Sequence, residues 1–223
     1  MPDQDFDLIT FDCYGTLSDW ESGIISAFQS EAVESGLSLK PDEIVAAYMI
    51  EEPIVESGPY QPYRQVLART AVRVATRLGW KLEEERASFL AETVADWRPF
   101  SDTNAALERL ASRYGLGLLS NIDDDILEQT RKHFSVAFDL IVTAEQVESY
   151  KPGHAHFLEA ATRSKGKRIL HAAQSYFHDV VPANALGIPV AWVNRKRERA
   201  DEGGPKPAYE VNTLSELADL LRC

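Results

Sequence analysis

The residues with the most chemistry in them lie in Phe11-Asp12-Cys13-Tyr14-Gly15-Thr16-Leu17, where an aspartate stands as an apolar run opens into a glycine turn. A carboxylate so placed sits at the ligand edge of a sheet, and the backbone N–H groups after it face a concavity able to hold an anion. Similar punctuation recurs at Ser120-Asn121 after Leu118-Leu119, and at Lys151-Pro152 after Ser149-Tyr150. It recurs again at Gln174-Ser175-Tyr176-Phe177-His178-Asp179. Any one of these is accounted for as turn chemistry. Together they deliver an aspartate, a hydroxyl, a lysine and a second aspartate to one rim, a set suited to work on a small anion.

Such a rim requires parallel strands whose carboxyl ends point the same way. Short apolar runs at 8–11, 116–119, 140–142, 169–173 and 190–193 read as buried strands. Amphipathic segments at 103–114, 124–133, 154–164 and 182–186 read as the helices between them, with Asp102 as the N-cap of the first. Alternation of this kind predicts an α/β fold with a Rossmann-like, doubly wound parallel sheet. Between the first two strands lie about a hundred residues, far more than a crossover needs. That interval reads as successive helices at 22–35, 42–49, 62–78 and 82–96. The expected organisation is a core of residues 1–18 and 98–223 with a helical cap domain inserted at 19–97, hinged at 18–20 and 97–100.

The chain has 223 residues, and 23 basic against 35 acidic side chains leave a net charge of −12. A net anion repels nucleic acid and anionic membranes, so neither is expected as a partner. Apolar residues make up 44%, enough for a packed core. No apolar run approaches the roughly 18–20 residues that span a bilayer. Asp3, Asp5 and Asp7 have the wrong sign for a signal or transit peptide. Cys13 and Cys223 make no disulfide framework, and a reducing, cytoplasmic setting is expected. The run Arg195-Lys196-Arg197-Glu198-Arg199 is followed by Asp201 and Glu202, which reads as a solvated loop.

The motifs Asp12-Cys13-Tyr14-Gly15-Thr16, Ser120-Asn121, Lys151-Pro152 and Asp179, with a helical insertion after the first, resemble the haloacid dehalogenase superfamily of hydrolases. Tyr14-Gly15-Thr16-Leu17, Ser149-Tyr150-Lys151-Pro152 and Trp192-Val193-Asn194-Arg195 are most similar to the type II 2-haloacid dehalogenases. The resemblance implies that Asp12 is the nucleophile and forms an aspartyl ester. It implies that Lys151 keeps Asp12 ionised, and that Asp179 positions Lys151 or activates the water that opens the ester. It implies that Thr16, Ser120 and Asn121 hydrogen-bond the substrate anion or orient Asp12, and it sets Tyr14, Gln174 and Ser175 on the substrate side of the site.

Phosphatases of the superfamily carry a second aspartate two residues after the nucleophile, which protonates the leaving alkoxide. Here that place holds Tyr14, and a phenol with an ordinary pKa near ~10 is a poor acid at neutral pH. Their fourth motif supplies another carboxylate for Mg²⁺, and here that place holds Gln174. Halide leaves without a proton, so both losses favour hydrolysis of the carbon–halogen bond of an (S)-2-haloacid with no required cofactor. The alternatives are a phosphatase with a weakened Mg²⁺ site on Asp12 and Asp179, and a catalytically silent anion-binding protein. The expected partner is a small anionic organic substrate, and a homodimer is compatible with the resemblance.

The chain departs from that group around 45–48, where the cap arginine is missing, and at Phe157, Gln174 and Tyr176. Arg64 or the Tyr60–Tyr63 loop beside it is the candidate replacement, against the plainer reading of Arg64 as a helix-surface arginine. Cys13 is expected to point into the core. His178 is read as a histidine packed near the rim. His154 and His156 diverge around a helix and make a poor metal pair. Trp20, Met49, Trp97 and Phe100 are read as cap and hinge packing.

Overall fold

The computed structural model describes residues 6–223, so Asp3 and Asp5 lie outside the described residues. Its sheet contains β1 (Leu8–Phe11), β2 (Gly115–Ser120), β3 (Leu140–Thr143), β4 (Ile169–Ala173), β5 (Val190–Val193) and β6 (Tyr209–Val211). All pairings are parallel, and the order is β3-β2-β1-β4-β5-β6. Every residue of β1 is buried, as suits a central strand covered on both faces. The order turns at β1 and β4, and the crevice outside the carboxyl ends at such a switch point is where open α/β sheets bind ligands.

The helices are α1 (Trp20–Glu34), α2 (Pro41–Glu56), α3 (Tyr63–Arg77), α4 (Phe89–Thr93), α5 (Thr103–Ala111), α6 (Asp124–Thr130), α7 (Ala144–Val147), α8 (Ala155–Arg163), α9 (Val181–Ala185) and α10 (Leu214–Leu220). Among the described residues no helix is long and apolar enough to cross a membrane. Packing divides the chain into two units. One holds the sheet and comprises residues up to Ser18, Pro99–Asn121 and Lys132–Cys223. The other is helical and comprises Asp19–Arg98 with Ile122–Arg131.

The sheet unit has its core where Leu8, Leu119, Val142, Phe157, Tyr176 and Trp192 are buried together. In the helical unit Gly23 is required by contact, because a Cβ there would lie 2.4 Å from the Trp97 ring. Glu51 is buried on α2, bonded to Arg73 and Arg77 of α3. The segment Ile122–Arg131 falls with the helical unit rather than with a continuous 98–223 core. Its Asp123 carboxylate accepts from the first two N–H groups of α3, Tyr63 at 2.7 Å and Arg64 at 3.0 Å. That capping ties the segment to the helices and has no local signal in the sequence.

Several element boundaries differ from expectation. The expected helix at 42–49 runs on to Glu56 through Pro53, with Glu51, buried and bonded to Arg73 and Arg77, carrying the buried face past Met49. The expected helix at 82–96 breaks into two 3₁₀ turns around the short α4. Met49 is 55% exposed and does not pack as expected. Asp102 precedes α5 but makes no side-chain cap. It accepts from Leu214 N and Arg195 instead.

Candidate active site

Asp12 directly follows β1 and is buried. Gly15, at φ +97°, lets the chain turn back at once, so that Thr16 faces Asp12. The Thr16 hydroxyl donates to Asp12 Oδ2 at 2.8 Å and accepts from Gln174 N at 2.9 Å. Lys151 Nζ donates to Asp12 Oδ1 at 2.9 Å, Asp179 Oδ1 at 2.6 Å and the Leu119 carbonyl at 2.9 Å. An ammonium has three donors, so Lys151 is saturated by the protein, and it is only 2% exposed.

Charge follows from this packing. Burial pushes the Lys151 ammonium toward neutrality, but the two carboxylates outweigh it and hold the proton on. Burial likewise opposes ionisation of Asp179, yet Lys151 and a hydrogen bond from His171 keep its carboxyl below the usual range. Asp12 is raised above an ordinary aspartate, chiefly by burial and also by Asp179, while Lys151 and Thr16 pull it back. Its ionisation therefore leans on Lys151. Burial pushes the Cys13 thiol up, and its side chain sits in the core as expected.

The remaining expected residues divide by role. Asn121 grips the backbone of Lys151, donating to its carbonyl at 3.0 Å and accepting from its N–H at 2.7 Å. It positions Lys151 rather than presenting its amide to a substrate. The Ser175 hydroxyl lies 3.0 Å from His178 Nδ1 and accepts the His178 N–H, so it caps the turn that carries Asp179. Tyr14 and Gln174 are half-buried beside these groups in the chain. The Ser120 hydroxyl and Asp179 Oδ2 are buried with no partner among the described residues. Buried polar atoms are rarely left unpaired, and two in one site mark where a ligand or water fits.

Arg64 does not match its expected part. Its guanidinium donates to Asp123 at 3.2 Å and Asp125 at 2.5 Å within the helical unit, so two carboxylates neutralise it.

Three contributors take parts that the sequence did not indicate. Arg195 is not in a solvated loop. Its guanidinium donates to the Thr16 carbonyl at 2.9 Å and to Asp102 at 3.1 Å, and lies 4.1 Å from the centre of the Phe100 ring. It thereby pins the far end of the Asp12 turn. His171 is fully buried in β4 and bonds Asp179. His156 is fully buried in α8, its Nε2 3.1 Å from the Ser120 carbonyl. Alternation along β4, which sets His171 on one face with Ile169 and Ala173, was a signal for the second of these.

His156 makes stability depend on pH. Burial, helped by Lys151, pushes its pKa from 6.5 down to about 3. The unfolded chain takes up this proton below its ordinary value and the folded chain does not, so stability falls as pH falls from about 6.5 toward 3. At about 1.4 kcal/mol per unit, the loss reaches on the order of 4 kcal/mol. Denaturant unfolding of the wild type and His156→Gln across that window is expected to show a shallower acid loss in the variant. Equal slopes would mean that His156 does not carry the effect.

The model for haloacid dehalogenase-like hydrolases matches residues 9–193. An (S)-2-haloacid dehalogenase of Pseudomonas putida is 30% identical over 219 residues, covering 96% of each chain. A second (S)-2-haloacid dehalogenase, from another Pseudomonas, is 28% identical over 96% of this chain and 94% of its own length. The L-2-haloacid dehalogenase of Xanthobacter autotrophicus with chloropropionic acid covalently bound superposes with a TM-score of 0.84. It is 19% identical, with 98% of this chain and 99% of that one covered.

Proposed function

Because the chain belongs to the haloacid dehalogenase-like hydrolase family, we propose that it hydrolyses the carbon–halogen bond of an (S)-2-haloacid through an ester on Asp12. The observation that carries this reading is the Asp12 carboxylate, held between the Lys151 ammonium and the Thr16 hydroxyl at the carboxyl end of the central strand. A carboxylate oxygen displaces halide at C2. The new C–O bond forms as the C–halogen bond breaks, halide leaves with the electron pair, and C2 inverts. Water then adds to the acyl carbon of the ester, collapse releases the 2-hydroxy acid, and Asp12, left as its acid, loses the remaining water proton to solvent and is restored as the carboxylate. Asp179 takes the proton from that water. The Ser120 hydroxyl and the N–H groups of the turn after Asp12 receive the substrate carboxylate. The covalently bound chloropropionic acid in the Xanthobacter enzyme supports an ester of this kind.

Phosphate ester hydrolysis fits less well. An alkoxide leaving group needs a proton, and the place of the acid is taken by Tyr14. The residues present also do not suit Mg²⁺. Asp12 Oδ1 and Asp179 Oδ1 both bond the Lys151 ammonium, and Gln174 stands where a carboxylate would be. Among the described residues no group of three or more His, Cys, Asp or Glu side chains is arranged to hold a metal ion. Halide release from 2-chloropropionate is expected to continue at the same rate in EDTA. Loss on chelation with rescue by Mg²⁺ would reverse the order of the two reactions. In the same reading the helical unit is the cap, the two free thiols suit a reducing cytoplasm, and the chain works as a homodimer, which sedimentation would test.

A further inference from the structure

Asp179 is held from behind by a pair of side chains that the reaction itself does not use. Thr10 of β1 and His171 of β4 are register partners on adjacent strands, and both are fully buried. Thr10 Oγ1 lies 2.9 Å from His171 Nδ1, and His171 Nε2 lies 3.0 Å from Asp179 Oδ1. On its other side Thr10 is paired with Gly117 of β2. A Cβ on Gly117 would come within 3.2 Å of the Thr10 methyl, so the methyl occupies the space that glycine leaves. A β-branched side chain has few χ1 choices, and this one turns its hydroxyl toward the imidazole. The Phe157 ring meets His171 edge-on at 5.1 Å and closes the remaining side.

We infer that Thr10 and His171 are positioning residues that fix the Asp179 carboxylate in one orientation for the ester-hydrolysis step. This rests on the function proposed above. An ionised carboxylate only accepts, so His171 Nε2 carries the proton, and Nδ1 receives the Thr10 hydroxyl proton. Asp179 Oδ1 then has two donors, Lys151 at 2.6 Å and His171 at 3.0 Å. Oδ2 has none among the described residues and keeps its lone pairs for water. In the step, a water O–H proton passes to Oδ2 while the water oxygen bonds the acyl carbon of the Asp12 ester. The tetrahedral adduct collapses, the bond from that carbon to the hydroxy-acid oxygen breaks, and that oxygen leaves with the proton. His171 takes no part in the bonds made and broken, and contributes its hydrogen bond to Oδ1. Without it, Lys151 alone holds Oδ1 and the carboxylate is free to swing both oxygens toward the ammonium. The other charged or titratable groups around the pair are Asp12 and His156.

The test combines ¹⁵N NMR of histidine-labelled protein with rapid-quench halide release for the wild type, Thr10→Val, His171→Leu and His171→Gln. The His171 resonances, identified by their loss in His171→Gln, are expected to show a protonated Nε2 and an unprotonated Nδ1. A bare Nε2, or a ring exchanging between tautomers, overturns the inference. In kinetics, Thr10→Val and His171→Leu are expected to release the first halide per site at the wild-type rate. They then turn over about tenfold or more slowly, with the ester visible in the intact mass. His171→Gln, whose amide N–H reaches the Nε2 position, restores turnover. Equal slowing of the first and later halides, or no slowing, overturns the positioning role. Should His171→Leu fail to fold, Thr10→Val decides. A wild type that releases no halide from any 2-haloacid sinks the proposed function instead, and the tautomer still decides the pair.

Discussion

Asp12→Asn is expected to lower halide release by about four orders of magnitude or more while leaving the fold intact. The amide has the shape of the carboxylate but is not a nucleophile. Its oxygen can still accept from Lys151, and its NH₂ can donate to the Thr16 hydroxyl, which has lone pairs to accept it. Burial opposes the Asp12 charge, and Lys151 keeps Asp179 as its partner, so thermal stability should change little. Halide release and thermal unfolding on the same preparation check both halves. Residual turnover within tenfold of the wild type would remove Asp12 from the central role.

Lys151→Met is expected to cost both activity and stability. The ammonium satisfies two buried carboxylates and the Leu119 carbonyl, and methionine satisfies none of them. Removing one partner of a buried ion pair typically costs about 3–5 kcal/mol. Turnover should fall by about three orders of magnitude, because Asp12, already raised by burial, rises further without the ammonium and is less ionised. The pH dependence gives a second signature. In the variant a carboxyl whose folded pKa lies above its unfolded one contributes stability at acid pH and loses it as pH rises. The deficit relative to the wild type, measured by denaturant unfolding, is therefore expected to widen as pH rises. A deficit that narrows would mean that Lys151 is not what ionises the pair.

What could be read from the sequence followed from chemistry at the ends of apolar runs. Asp12, Lys151 and Asp179 were legible because each follows a buried strand on the side where the strands end, and the structure joins them through the Lys151 ammonium. The strands themselves were legible as short apolar runs, except β6, a three-residue edge strand. Helix α10 carried a signal in Asn212-Thr213-Leu214-Ser215-Glu216. Thr213 caps the helix by accepting from Glu216 N at 3.1 Å, and the Glu216 carboxylate reaches back to accept from Asn212 N at 2.7 Å, one residue before the cap.

The misreadings share a different cause. Arg64 looked like a free cation because its neighbours in sequence are aromatic, while its partners Asp123 and Asp125 lie far along the chain. Arg195 looked solvated because acidic residues follow it, yet its partners are Thr16 and Asp102. His171 gave no sign of bonding Thr10, because strand register, not sequence distance, makes them neighbours. Partners of long polar side chains are set by topology, and local pattern does not encode them.

The central claim is that Asp12 forms the ester, and one turnover in ¹⁸O water with enzyme in excess tests it most directly. If water attacks the acyl carbon of an Asp12 ester, the product hydroxyl carries the original aspartate oxygen and the label enters the protein. Mass spectrometry of the peptide bearing Asp12 should then gain one ¹⁸O, and the first 2-hydroxy acid released should contain none. Label in that first product, with an unlabelled Asp12 peptide, would mean that water attacks the substrate carbon directly and would contradict the account.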